Sequence, residues 1–499
     1  MDGFLASLIG LFAPQLFLLA VVGTVGGVFV GSIPGLSGTM LISLCLPITF
    51  YMEPVSAVVL LVAIYTGSIT GGLISATLMR TPGTVSNVMT TLDAYPLARK
   101  GQAQRALSLG IAASFAGSIF GWLALAILAK PLSNVAIKVG SAELFALVVL
   151  ALALISSVSS GSMLKGLIMG AVGIILALPG VDPTTGVTRL TMGFWQLNGG
   201  FHILPVLVGI FAVAPILGDI LDLDSRAGEP QYRHSRKFLF SFADVKRFWN
   251  LILRSSTLGT IVGILPGVGG NVASVVAYTS ARVLSRKPKE FGQGSEEGIV
   301  ASESANNASV GGALIPLITL GIPGSVVDVL LIGALMMHDI APGPMLFITN
   351  APVAWTLVTT LLVSSVLMLL TMIYATGPIS RLIGLPKQGI LPVILVFCVV
   401  GVYATTNRMF DVWVMIAFGF AALLFERARF PMAPLVIGFV LAPIAEKSLR
   451  SGLMASDGDV VAFLTTPLSL VLLFASFALF VWPIVQAVRS WVGTSTAGR

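Results

Sequence analysis

Long stretches of this chain carry no charged side chain. Residues 3–52, 54–79, 106–129, 144–164, 255–281, 340–380 and 460–488 are such runs. An α-helix needs roughly 20 apolar residues to cross a bilayer. The pattern therefore predicts about 10–12 crossings with several shorter segments between them. The polar stretch 222–250 is the longest charge-rich interval, and it separates two apolar halves. The expected organisation is a first membrane repeat over 1–221, a basic linker over 222–250, a second repeat over 251–450, and a C-terminal transmembrane extension over 451–499.

Within this pattern one unusual string occurs twice. Residues 27–38 read GVFVGSIPGLSG and residues 259–270 read GTIVGILPGVGG, an offset of 232. A second pair follows in the same order, PGTVSNV at 82–88 and PGSVVDV at 323–329. Gly71-Gly72 and Gly311-Gly312 lie just upstream of the second pair, and the surplus length in the second half matches the charged 284–297 loop. The segments 37–50 and 271–283 are short for full spans and read as half-helices or re-entrant segments.

Proline removes a backbone donor and glycine admits conformations closed to other residues, so each Pro-Gly pair predicts a break in a membrane helix. Such a break is tolerated where the freed backbone groups are buried in protein or line a polar cavity. The half-helix after it begins with unpaired amides and a positive dipole end, which suits an anion. The carbonyls before it suit a cation such as Na⁺. Four breaks, two per half, thus predict a binding site.

The candidate substrate-binding residues are Gly35, Ser37, Gly38, Thr39, Arg80, Pro82, Gly83, Thr84, Gly267, Gly269, Gly270, Asn271, Pro323, Gly324 and Ser325. Thr81 sits beside them. Candidate ion-coupling residues are Ser86, Asn87, Asn306, Asn307 and Asp328, with Na⁺ also at backbone carbonyls near Gly35, Gly267 and Gly324. The alternative for each hydroxyl is helix capping. Asp328 lies in an apolar run, where an acid serves an ion pathway or has a structural partner. Glu303 opens SESANNASVGG and reads either as an ion ligand or as a cap or loop partner. Arg80 either faces a substrate carboxylate or snorkels to the interface. His202 and His338 read as structural.

Composition narrows the function class. The chain is 56% hydrophobic and 10% charged, with 53 Gly and 27 Pro, and its mean hydropathy is +0.98. Soluble domains carry about 25% charged residues, so the chain reads as a polytopic membrane protein. The N-terminus lacks a basic region and reads as membrane-embedded chain, not a signal peptide. Cys45 and Cys398 read as thiols in apolar segments. The net charge of +7 is explained by positive-inside bias, not nucleic-acid binding. Arg226, Arg233, Arg236, Lys237, Lys246, Arg247 and Arg254 place 222–254 in the cytoplasm, and the basic 282–289 and 99–105 loops read the same way. No Walker motif, nucleophile–base set or metal-ligand spacing argues for ATP use or for an enzyme, and no cofactor is expected beyond a coupling ion, Na⁺ or H⁺.

At these residues the chain resembles the large membrane subunit of the tripartite tricarboxylate transporters, the TctA family. The resemblance runs over roughly 15–465. It is carried by GSIPGLSG at 31–38, TPGTVSN at 81–87, DAYPLARKGQAQRAL at 93–107, GILPGVGG at 263–270, ESANNAS at 303–309, TLGIPGS at 319–325 and HDIAPGP at 338–344. It implies a multi-pass subunit of the bacterial inner membrane that works with a small four-helix membrane subunit and a periplasmic substrate-binding protein. It implies import of tri- or dicarboxylates or related organic acids, driven by an ion gradient, usually Na⁺. The expected fold is all-α, with broken or re-entrant helices in two inverted repeats that move elevator-fashion. The alternative is a passive anion channel built from the same broken helices. Two departures stand out: the family commonly has Asn where this chain has Arg80, and Gly where it has Ala94.

Overall fold

The computed structural model describes residues 2–158, 163–182, 185–221, 241–382 and 390–496. Arg226, Arg233, Arg236 and Lys237 lie outside the described residues. The described chain is mostly helical, with one small departure from an all-α fold: Gly180–Val181 pairs antiparallel with Thr188–Arg189. Among the described residues seven helical stretches are long and apolar enough to cross a membrane. They are Pro14–Ser32, Pro54–Met79, Val85–Ala136, Ile203–Leu221, Ala351–Ile379, Met409–Arg427 and Met432–Ala455. Val85–Ala136 is not one straight rod, because Gly101 takes φ 81° within it. Six shorter apolar helices accompany them, including Gly38–Phe50 and Val326–Met337.

The chain forms two compact units, Met1–Asn134 with Leu204–Leu423, and Val135–Ile203 with Leu424–Arg499. The second unit packs Met432–Ala455 against Ser141–Val158 and Met163–Ala177, and Pro467–Thr496 against Ser141–Val158. An ionic cluster ties its hairpin to Met432–Ala455. Arg189 donates to both Glu446 oxygens at 2.6 Å, and Arg450 donates to Asp182 at 2.7 Å.

The first unit holds all four breaks. Two long helix pairs form its frame, Pro14–Ser32 on Pro54–Met79 and Phe242–Ile264 on Glu296–Leu320. Small residues let these backbones touch, as helix pairs in lipid require. The touching positions correspond across the halves. Gly31 meets Ser68 and Gly263 meets Ser309; Gly71 meets Val28 and Gly312 meets Thr260. The residues up to the first break are related by an offset of 232, and those of the following long helix by 241. The extra length falls in the polar connection between Gly269–Leu284 and Glu296–Leu320.

After each long pair comes a second break and a short helix. The short helices exchange neighbours. Gly38–Phe50 packs on Val326–Met337, while Gly269–Leu284 packs on the Val85–Asn87 turn and Val88–Leu97. The half-helix after a first break thus lies against the segment after the second break of the other half.

The basic 99–105 loop meets the start of Phe242–Ile264 and the 293–296 segment. Arg105 reaches both Asp244 oxygens, at 2.5 and 2.8 Å, and Glu296 at 2.8 Å. Arg247 donates to the other Glu296 oxygen at 2.6 Å. Lys100 donates to the Gln293 carbonyl at 2.7 Å. The guanidinium of Arg105 holds the Asp244 carboxyl well below the usual carboxylate range. Asp93 is buried and saturated: Oδ1 accepts from the amides of Gly292, Gly294 and Ser295, and Oδ2 from the Tyr278 hydroxyl. Much of the 93–107 string therefore fastens the 291–296 segment and the start of Phe242–Ile264 to the end of the unit.

Candidate substrate and ion site

Each break has a local cause. At the first, Pro14–Ser32 stops at Ile33, Gly35 takes φ 88°, and Ser37 caps Gly38–Phe50 by accepting from Met40 N at 3.2 Å. At the third, Phe242–Ile264 stops at Leu265, and Gly267 and Gly269 take φ 69° and 64° before Gly269–Leu284 begins. At the fourth, Gly321 takes φ 72° and ends Glu296–Leu320, with its amide on Leu317 O and the Ile322 amide on Pro316 O. This left-handed ending satisfies two terminal carbonyls. Ser325 then caps Val326–Met337 through Asp328 N at 3.4 Å. At the second break the position corresponding to Gly321 is Arg80, which takes φ 58° with a full side chain.

The breaks interlock. A methyl group at Gly83 would strike the Gly31 carbonyl, and one at Gly324 would lie 2.6 Å from the Gly263 carbonyl. The Gly267 amide donates to Pro323 O at 3.3 Å. Gly269 approaches Ser325, and Gly270 is flanked by Asn306, Ser309 and Ser86.

Two junctions between the halves result. In one, Tyr65 of Pro54–Met79 lies beside the fourth break, its hydroxyl 3.0 Å from Ser325 Oγ. Asp328 is fully buried there. The Ser325 hydroxyl and the amides of Gly324 and Ser325 lie near its oxygens, yet neither oxygen makes a well-formed hydrogen bond among the described residues. In the other junction, Asn306 lies beside Gly270 and the second break. It is fully buried, and neither side-chain atom has a hydrogen-bond partner among the described residues.

Glu303 sits behind this second junction, one helical turn from Asn306 and fully buried. Three donors converge on it: Asn87 Nδ2 at 2.9 Å, Thr90 at 2.5 Å and Ser114 at 2.9 Å. Asn87 Oδ1 in turn accepts from Thr84 at 2.5 Å. Asn307 is held by its own helix and neighbours. Its Oδ1 accepts from Thr70 at 2.7 Å, and its Nδ2 donates to Glu303 O at 3.1 Å.

The remaining sequence candidates fall into three groups. Gly38, Gly83, Gly269, Pro323 and Gly324 are buried packing or turn positions at the breaks, and Ser86 and Asn87 are buried beside the second. Pro82, Gly267, Ser37, Thr39, Thr84, Gly270 and Ser325 are half-buried. Ser37 spends its hydroxyl on capping and on Thr39 Oγ1 at 2.6 Å. Gly35, Asn271 and Arg80 are exposed, and the Arg80 guanidinium lies 5.9 Å from the centre of the Tyr95 ring. Sequence reasoning passed over Tyr65, Thr90 and Ser114. Tyr65 had a usable signal, since it stands at the 241 offset from Asn306.

Among the described residues no three His, Cys, Asp or Glu side chains gather as metal ligands. An arrangement of oxygens, amides and broken helix ends can hold small anions and hard cations without such a cluster.

Comparison with known proteins identifies the family. The chain is 36% identical over 469 residues, 94% of its length and 93% of the relative, to an uncharacterized 52.8 kDa protein in the TAR-I ttuC' 3' region of Agrobacterium vitis. It is 33% identical over 232 residues to an uncharacterized protein in the TAR-II ttuC' 3' region of the same organism, covering 46% of this chain and 96% of that protein. No solved structure matches. Residues 17–437 match the family described as the tripartite tricarboxylate transporter TctA family. That span takes in all four breaks and both junctions, and the chain therefore belongs to this family: it is a multi-pass protein of the bacterial inner membrane with a carboxylate-transport role, and not an enzyme.

Proposed function

We propose that this chain is the membrane core of a secondary transporter that imports tri- or dicarboxylates or related organic acids with an ion gradient. A periplasmic binding protein delivers the substrate, and a small four-helix membrane subunit accompanies the core. The observation that carries the proposal is the convergence of four broken helices on two junctions, one of which holds the fully buried Asp328 without a well-formed hydrogen bond among the described residues. A buried acid in a membrane protein is costly unless a cation or proton joins it. Helix starts freed by the breaks offer amides to a carboxylate.

The substrate-facing set in this reading comprises Gly38, Thr39, Thr84, Gly269, Gly270 and Ser325, with Asp328 as a coupling residue. The paired close approaches at constant offsets support two structural repeats, 1–221 and 251–450. Their exchange of neighbours fits a two-fold relation between the halves; in this reading the relation is inverted and the broken helices move elevator-fashion. The shorter apolar helices bring the crossings to about 10–12.

The test is uptake of labelled carboxylate into proteoliposomes holding the chain, its small membrane subunit and its binding protein. Accumulation above the external concentration, abolished when Na⁺ and H⁺ gradients are collapsed, is expected. Flux that merely equilibrates would make the chain a channel. Accumulation indifferent to every ion gradient would overturn ion coupling.

A further inference from the structure

The two junctions are chemically unequal in a way that bears on ions. At the 241 offset Asn87 corresponds to Asp328, and Val62 corresponds to Glu303. The acid of one junction is thus Asp328, with the apolar Val62 at the position matching Glu303, whereas in the other the uncharged Asn87 hydrogen-bonds to Glu303. Each carries one buried acid, placed at the break in one case and one layer behind it in the other.

Resting on the transport reading above, we infer that the Asn306 junction is a second cation site, built from neutral oxygens and distinct from Asp328. The argument is a count of protons. Three groups able to donate, the Asn87 amide and the Thr90 and Ser114 hydroxyls, converge on Glu303, an arrangement that suits an ionised carboxylate. Asn87 must therefore turn its amide nitrogen toward Glu303 and its oxygen toward Thr84, since the reverse would set oxygen against oxygen. Thr84 then spends its proton on Asn87 Oδ1. Ser86, 3.2 Å from Thr84 Oγ1, is left to donate to it. The relay runs from Glu303 outward with every proton pointing inward, so Thr84 and Ser86 present lone pairs to whatever sits at the junction. Asn306, buried and unpartnered beside Ser86 and Gly270, supplies a further carbonyl oxygen.

Such a site suits a cation, because Asn87, Thr84 and Ser86 spend their donors within the relay and the Glu303 carboxylate lies one hydrogen-bonded residue behind it. It is a metal-ion site and not a proton site, since hydroxyls and a carboxamide do not titrate near neutral pH. With no carboxylate reaching the ion directly, a monovalent hard cation such as Na⁺ fits better than Ca²⁺, which draws on carboxylate ligands. Glu303 is a positioning residue here: it orients Asn87 and thereby Thr84.

The test is equilibrium binding of radiolabelled Na⁺ to the purified full-length chain in lipid nanodiscs, with choline as the control cation. Two ions per wild-type chain are expected, and Asp328→Asn should retain one. In the Asp328→Asn background, Asn306→Ala or Glu303→Gln should weaken the remaining site about tenfold or more, as loss of a ligand or of a buried charge predicts. One ion in the wild type, with none left in Asp328→Asn, overturns the second site while leaving ion coupling through Asp328 intact. No sodium binding at all overturns both. The wild-type stoichiometry decides the matter even where a variant fails to fold.

Discussion

The Tyr65 hydroxyl lies 3.0 Å from the Ser325 hydroxyl, across the boundary between the two halves of the chain. Ser325 also caps the helix that carries Asp328. Tyr65 thus steadies the fourth break from the opposite half. Tyr65→Phe keeps the ring packing and removes only the hydroxyl. The expected loss is about 1 kcal/mol, the net worth of one hydrogen bond. The half-saturating Na⁺ concentration for uptake should rise about fivefold, with the far-ultraviolet circular dichroism unchanged. An unaltered sodium titration would separate Tyr65 from the ion site.

Gly324 and Gly83 are tested by a single methyl group each. At Gly324 the added carbon meets the Gly263 carbonyl at 2.6 Å and Ala313 Cα at 2.7 Å, all backbone or near-backbone atoms that cannot swing aside. Overpacking of this kind costs about 1–3 kcal/mol. Gly324→Ala and Gly83→Ala should each lower the thermal midpoint of the detergent-solubilised protein. Gly10→Ala, where nothing lies within 4 Å of an added methyl, is the control and should leave it unchanged.

Arg80 bears a left-handed backbone at the position where the other half has Gly321. A non-glycine residue in this region carries a conformational cost of about 1–2 kcal/mol, less for Asn, whose side chain bonds locally. Arg80→Asn should therefore stabilise the protein by about 0.5–1 kcal/mol. The guanidinium is exposed over Tyr95, so substrate affinity in the uptake assay should hold within about twofold, a change of less than 0.5 kcal/mol. A larger loss of affinity would place Arg80 at the substrate.

How much of this was legible in the sequence depends on how local the cause was. The breaks were legible, because Pro34, Pro82, Pro266 and Pro323 with their following glycines act on their own backbone. Asp328 was legible because an acid in an apolar run is conspicuous. Arg80 was ambiguous because snorkelling and substrate contact use the same residue type, and the affinity of Arg80→Asn decides between them. The relay Glu303–Asn87–Thr84 was not legible: its members are 216 positions apart for one bond and three for the other, and no local pattern joins them. Asp93 carries no local signal beyond its place in the 93–107 string, and its hold on the 292–295 amides depends on a fold that sequence spacing does not give.

The Arg105–Asp244 pair yields a pH prediction with a definite sign. The guanidinium lowers the Asp244 carboxyl below its ordinary value. A depressed carboxylate contributes stability that is fully present above its unfolded pKa of about 3.9 and is lost only as pH falls through the lower folded value. Asp244→Asn removes the charge-assisted bonds, worth about 1.5–3 kcal/mol. The difference in thermal midpoint between wild type and Asp244→Asn should therefore stay constant from about pH 8 to pH 5 and shrink only in stronger acid. A difference that already fades between pH 7 and pH 5 would mean that another group, one titrating near neutrality, governs this end of the unit.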